Sequence, residues 1–290
     1  MIDTAPGIFV RHNPLVSPAP VVFDSPHSGA DYPADFGYAC PLNLLRHAED
    51  AHVDVLFGAA PACGATLIAA LFPRSYIDVN RAEQDIDPQL LAEHWPGPVN
   101  NSDRVRVGMG LVRRVCKPGL ALYDRKLTVA EVQGRIENYY RPYHRAVADA
   151  IDRASVQFGA VWHVNCHSMP SSGGPKVPTH GWERADFVLG DRDGTTCEPG
   201  FRRIVQGALQ GMGYDVRVND PYKGVELVKR FGQPKIGRHS LQIEINRRLY
   251  MNEDTLQPNE GFAKLKQNLD TLVATITDYA RDQLTAAAAD

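Results

Sequence analysis

Short apolar runs recur along the chain at residues 21–23, 65–71, 76–79, 161–164, 187–189 and 241–245, and each reads as a buried β-strand. Between them the spacing turns helical. Leu44, Ala48, Ala51 and Val55 follow Pro41 at steps of three and four. Ile136, Tyr139, Tyr140, Tyr143, Val147 and Ile151 form one apolar face of a helix starting near Thr128, where Thr128 and Glu131 are spaced as a capping box. Phe262, Leu265, Leu269, Leu272, Ile276 and Tyr279 predict a long C-terminal helix, and the tail at 286–289 is expected to fray. Strands alternating with helices predict an α/β fold with a mixed, mainly parallel sheet sandwiched by helices. No repeat or dividing linker is visible, so residues 1–290 are expected to form a single domain. Two stretches without periodicity, 82–125 and 168–183, interrupt it. Loops of that length usually serve as lids or walls of a site.

Composition narrows the classes. Apolar content of 43%, charged content of 22% and a net charge of −3 are those of an ordinary globular protein. No basic run exceeds two residues, so no nucleic-acid partner is expected, and no apolar stretch approaches membrane-spanning length. The N-terminus lacks the layout of a signal peptide, and the five cysteines are scattered with no CxxC pair. These features predict a cytoplasmic protein, and any zinc must be held by His, Asp or Glu.

Chemistry-bearing residues gather beside the predicted strands. Asp24 and His27 follow the first run, Asp78, Asn80 and Arg81 end another, Asn165 and His167 follow a third, and Gln242, Glu244 and Asn246 lie in or after the last. Glu49 and Asp50 fall near the start of a predicted helix. Strand ends are where α/β folds keep their sites. Hydrolytic zinc takes three protein ligands and leaves a position for water. His27, in a turn that Gly29 lets bend, and His167, at a strand tip, are the candidate imidazole ligands; Asp50, Glu49 or Asp31 could supply the carboxylate. Alternation puts His163, Asn165 and His167 on one face, and His163, between Trp162 and Val164, reads as a core histidine.

Glu244 interrupts an apolar run, and buried carboxylates need a partner or a task. It is either salt-bridged to Arg247 or Arg248, or the general base of a hydrolase. Arg81 beside Asn80 suits recognition of a carboxylate, or else pairs with Asp78 or Asp85.

Together, Ser25-Pro26-His27-Ser28-Gly29, Glu49-Asp50 with Val53-Asp54, Ile77-Asp78-Val79-Asn80-Arg81, Cys166-His167-Ser168-Met169-Pro170, Pro221-Tyr222-Lys223-Gly224, and Gln242-Ile243-Glu244-Ile245-Asn246 leading to Leu249-Tyr250-Met251 resemble the N-formylglutamate amidohydrolase (formylglutamate deformylase) family. The resemblance runs from about Val21 to Met251. It implies a fold similar to zinc carboxypeptidases and aspartoacylase, and hydrolysis of N-formyl-L-glutamate to formate and glutamate, as in histidine degradation. It further implies Zn²⁺ or another divalent ion on His27 and His167, Glu244 as base, and Asn80 with Arg81 gripping a substrate carboxylate. Asp50 is assigned as third ligand, with Glu49 and Asp31 as alternates, because the carboxypeptidase pattern has a Glu where this chain has Ala30. Asn165 stands where the family often has an acidic residue, which weakens support for the second imidazole.

A substrate with two carboxylates calls for a second cation, with Lys223, Arg113 and Arg114 as candidates. Rival readings are a related N-acyl amino-acid amidohydrolase, a carboxypeptidase-like enzyme, or a non-catalytic metal- or amino-acid-binding protein. A Cys166–His167 nucleophile pair is disfavoured, because adjacent strand residues face opposite ways.

Overall fold

The computed structural model describes residues 2–172 and 184–287. Most of the second aperiodic stretch, 173–183, and residues 288–290 lie outside the described residues. The strands are β1 (Ile2–Ala5), β2 (Phe9–His12), β3 (Val21–Ser25), β4 (Thr66–Ala70), β5 (Val115–Lys117), β6 (Leu120–Ala121), β7 (Val161–Met169), β8 (Phe187–Gly190), β9 (Val216–Val218) and β10 (Arg238–Asn246). The helices are α1 (Leu42–Arg46), α2 (Val53–Leu56), α3 (Asp103–Arg106), α4 (Val129–Arg135), α5 (Arg141–Phe158), α6 (Pro199–Gly211), α7 (Glu226–Phe231) and α8 (Phe262–Ala287). Among the described residues, eight strands make one mixed sheet in the order β1-β2-β4-β3-β7-β10-β8-β9, and β5 pairs with β6 apart from it.

The central strands β4, β3, β7 and β10 run parallel, so their C-terminal ends emerge at one edge. Helices cover both faces. Val21, Phe23, Trp162, Val164, Cys166, Leu241, Ile243 and Ile245 turn to one face and pack in a core with residues of α2, α6 and α8. On the other face, α5 packs on β3, β4 and β7, and α7 on β10. There the same strands present Asp24, His163, Asn165, His167, Ser240, Gln242 and Glu244, all buried. Period-2 alternation thus separates an apolar face from a buried polar one.

Thr128 and Glu131 form the predicted capping box at the start of α4. Residues Ile136–Tyr140 form a π-helical turn before α5, which ends at Gly159 with φ 80°. Such turns are frequent near functional sites, and this one aims Tyr140 and His144 at the segment carrying Asn80 and Arg81. Tyr140 donates to the Arg81 carbonyl at 2.9 Å, and His144 Nε2 lies 2.8 Å from that of Val79.

Several expectations about elements change. Residues 76–79 form a turning segment rather than a strand, because Asp78 N–H donates to Leu111 O at 2.8 Å and Asp78 Oδ1 accepts from Asn80 N–H at 3.0 Å. Tyr76, Ile77 and Val79 are apolar because they fill the core beneath α4 and α5. The helix expected after Pro41 breaks into α1 and α2, with His52 at φ 66° between them. Asp50 N–H donates to His27 O at 2.9 Å, which draws the acidic pair out of the helix. The stretch 82–125 is not bare loop: it holds α3 and the β5–β6 hairpin.

Candidate metal centre and substrate cavity

Register decides which polar side chains become neighbours. Asp24 and Gln242 flank Asn165, Ser240 flanks His163, and Glu244 sits beside His167. His27 follows β3 in a turn where Gly29 lies flat against the chain: a Cβ there would stand 2.3 Å from the Leu71 carbonyl carbon. Only glycine allows that approach. Asp50 arrives from the break between α1 and α2.

These three residues converge. His27 Nδ1 and His167 Nδ1 lie 3.3 and 3.0 Å from the same oxygen, Asp50 Oδ2. Candidate ligand atoms of His27, Asp50 and His167 all lie within 4.8 Å of one another, and all three residues are buried. Donors around a tetrahedral zinc, each about 2.0–2.2 Å from it, are spaced by roughly 3.4 Å, so the set fits such an ion. Each far ring nitrogen has its own support. His27 Nε2 donates to Asp78 Oδ1 at 2.7 Å, and His167 Nε2 lies 2.8 Å from Asn165 Oδ1. Partners of that kind orient imidazole ligands.

Electrostatics suits a cation as well. Burial opposes charge on Asp50, but the imidazoles of His167 and His27 and the Arg74 guanidinium outweigh it and hold the carboxyl well below its ordinary range. For Asp78, burial is likewise outweighed, chiefly by Arg74 and His27. Burial depresses the His167 pKa, which favours the neutral imidazole that a metal requires.

The cluster floors a cavity of about 450 Å³. Arg74, Arg81, Arg104, Arg113, Lys223 and Arg247 line it, against the carboxylates of Asp50 and Glu244. That excess of positive charge favours anionic ligands. Glu244 is 8% exposed; burial first, then the Asp50 carboxylate, push its pKa well above the ordinary value. Its Oε1 accepts from Gln242 Nε2 at 2.8 Å, while Gln242 Oε1 is buried and has no partner among the described residues. Arg247 turns to Asp50 Oδ1 at 3.0 Å, and Arg248 reaches Asp186, so neither is the close partner that the sequence offered for Glu244.

The other sequence candidates divide. Arg81 Nη1 and Nε donate to the Asn80 and Met109 carbonyls at 2.9 and 3.3 Å. Asn80 Oδ1 accepts from Leu227 N–H at 3.0 Å, and its Nδ2 lies 2.9 Å from His167 Nε2. Arg113 is 9% exposed and its Nε has no partner among the described residues; burial, with Arg74 and Arg81 nearby, lowers its pKa to about 9. Lys223 pairs with Asp193 at 2.9 Å. Arg114 lies outside the cavity lining and pairs with Asp87 at 2.7 Å. Glu49 accepts from Tyr32 at 2.7 Å and pairs with Arg46, and Asp31 is exposed; neither joins the cluster. His52 Nε2 lies 2.8 Å from Leu256 O.

Sequence reasoning passed over Arg74, whose Nη2 donates to Asp78 at 2.8 Å and whose Nη1 lies 3.9 Å from Asp50. Its signal was position, just past the end of β4. Asp78, one of two alternative partners that the sequence offers for Arg81, holds His27 and Arg74 more closely, with Arg81 at 4.0 Å.

The model of the N-formylglutamate amidohydrolase family matches residues 19–251. The chain belongs to this family. Two relatives named N-formylglutamate deformylase agree: one from Pseudomonas putida, 28% identical over 88% of this chain and 92% of its own, and one from Pseudomonas aeruginosa, 29% identical over 81% and 83%. The solved structure of an N-formylglutamate amidohydrolase from Ralstonia eutropha JMP134 is 50% identical, with a TM-score of 0.93 over 96% of this chain and 99% of that one. An Agrobacterium tumefaciens protein, 18% identical with a TM-score of 0.65, shares the fold. No helix among the described residues is long and apolar enough to cross a membrane.

Proposed function

We propose that the protein hydrolyses N-formyl-L-glutamate to formate and L-glutamate, using a divalent cation, zinc in our reading, held by His27, Asp50 and His167. The observation that carries this is the buried His–Asp–His cluster beside Glu244 in a cation-lined cavity, in a chain of this family. When bound there, the cation lowers the pKa of a water towards ~7 and polarises the formyl oxygen.

The remaining work falls to side chains. Glu244 takes the proton of the attacking water as oxygen bonds to the formyl carbon, then gives it to the departing nitrogen as the C–N bond breaks. Its raised pKa suits a group that must both accept and return a proton. Arg74, held by Asp78 next to the ligands, stabilises the oxyanion. Arg113 receives one substrate carboxylate through the guanidinium whose Nε has no partner among the described residues, and Arg81 receives the other through the hydrogens that its backbone contacts leave available. Gln242 keeps Glu244 oriented and offers Oε1 to the substrate amide N–H. Residues 27 to 247 converge on one cavity, which supports reading residues 1–290 as one catalytic domain. Five free thiols suit the cytoplasm as its compartment.

The test is release of the free amino acid across a panel of N-formyl and N-acetyl amino acids, before and after chelation and with zinc restored. N-formyl-L-glutamate should lead the panel, lose turnover on chelation and regain it with zinc. Preference for an N-acetyl substrate would overturn the substrate assignment, and full activity after exhaustive chelation would overturn the cation.

A further inference from the structure

Asp24, in β3, has no exposed surface, and none of the steps above uses it. Its carboxylate accepts three hydrogen bonds: Tyr143 O–H to Oδ2 at 2.9 Å, and His163 Nε2 and Asn165 Nδ2 to Oδ1 at 2.9 and 2.8 Å. The last of these settles which way the Asn165 amide faces. With Nδ2 on Asp24, Oδ1 points at His167 Nε2, 2.8 Å away. Behind it, His163 Nδ1 lies 2.7 Å from Ser240 Oγ.

His167 faces two amides of opposite effect. Asn80 Nδ2, 2.9 Å from Nε2, is a donor and favours a bare Nε2 with the proton on Nδ1. Asn165 Oδ1 is an acceptor and favours the proton on Nε2, leaving the Nδ1 lone pair toward Asp50. Asn80 is turned by the Leu227 N–H and cannot present its oxygen instead. If Asn165 also turned, His167 would meet donors only, and Nδ1 would carry the proton where a metal must bind. His27, by contrast, has a carboxylate of its own in Asp78.

We infer that Asp24 is a positioning residue: through Asn165 it fixes His167 in the tautomer that binds the cation, replacing a carboxylate that would otherwise contact the imidazole directly. This rests on the cation site proposed above. The negative charge of Asp24 also polarises the amide between them, strengthening Oδ1 as an acceptor. The ion is supported on one side by Asp78 directly and on the other by Asp24 one amide removed.

Zinc dissociation constants of the full chain, measured by chelator competition, test this. Asp24→Asn should weaken zinc binding by roughly 10–100-fold, the usual effect of losing such support. The double variant Asp24→Asn with Asn165→Asp moves the carboxylate onto His167 and should bring affinity back to within about threefold of the wild type. The Ser240 hydroxyl donates or accepts, so His163 can take either tautomer in response. Tyr143→Phe removes a bond to Asp24 without touching the relay; it should lower stability and leave zinc affinity within about threefold. A folded Asp24→Asn protein with wild-type affinity overturns the inference. If that variant does not fold, a folded double variant decides by the same measure: near-wild-type affinity supports the relay, and a tenfold or greater loss overturns it. Wild-type protein that takes up no divalent metal removes the parent reading instead.

Discussion

Arg113 and Arg81 end in one cavity yet differ in what holds them. Arg81 is tied to two carbonyls, whereas Arg113 is buried, its Nε has no partner among the described residues, and its pKa is lowered to about 9. An uncompensated buried cation destabilises the empty protein and rewards an anionic ligand. Arg113→Ala should therefore raise KM for N-formyl-L-glutamate by roughly 10–100-fold, the size of a lost charged hydrogen bond, without lowering the Tm of the unliganded protein. A lower Tm with unchanged KM would mark Arg113 as structural. Glu244→Gln keeps the shape and removes the proton carrier, so kcat should fall by about 10²–10⁴-fold. Metal analysis of the same preparation should find zinc content unchanged, which separates loss of a base from loss of a ligand.

At the scale of elements, the site depends on how turns and helices hold their neighbours. Gly29 matters because the turn after β3 presses on the backbone of Leu71 and Phe72, with a hypothetical Cβ 2.3–2.5 Å from them. Gly29→Ala must move that turn, and His27 with it. Zinc affinity should drop by at least tenfold, a loss of about 1.4 kcal/mol or more. Isothermal titration would show it, and affinity like the wild type would mean that the turn adapts. The continuous helix expected from Thr128 is α4 and α5 joined by a π turn, a departure that apolar spacing alone does not reveal. The acidic pair expected near a helix start sits in a break, because a backbone bond to His27 outweighs local helix preference.

Across the whole molecule, burial makes acid a threat. His144 is 5% exposed, and burial first, then Arg230, lower its pKa from 6.5 to about 3. Between those values the unfolded chain binds a proton that the folded chain refuses, so stability falls as the pH drops through that window. The loss from this group should reach about 2 kcal/mol at pH 5. Urea unfolding at pH 7.5 and pH 5 should show that much less pH dependence in His144→Gln. An equal drop in both proteins would assign the acid sensitivity to other groups.

Much of this was legible in the chain. The alternation through 161–169 and 238–246 already separates an apolar face from one bearing His163, Asn165, His167, Gln242 and Glu244, and the spacing of Thr128 and Glu131 announces a helix start. These are local matters, set by strand period and capping chemistry. Strands β1, β2 and β9, each of three or four residues, escape notice because they are too short to show a period. Tertiary structure decided the rest: that Asp50, the first choice by resemblance, meets the imidazoles while its alternates Glu49 and Asp31 do not, that Asp78 supports His27, and that Arg74 and Arg113 join the cavity while Arg114 turns to Asp87. A net charge of −3 gives no hint that six cations line one cavity. Strand register and crossovers set such meetings, bringing together side chains as far apart in sequence as His27 and Arg247, and local residue preferences do not encode them.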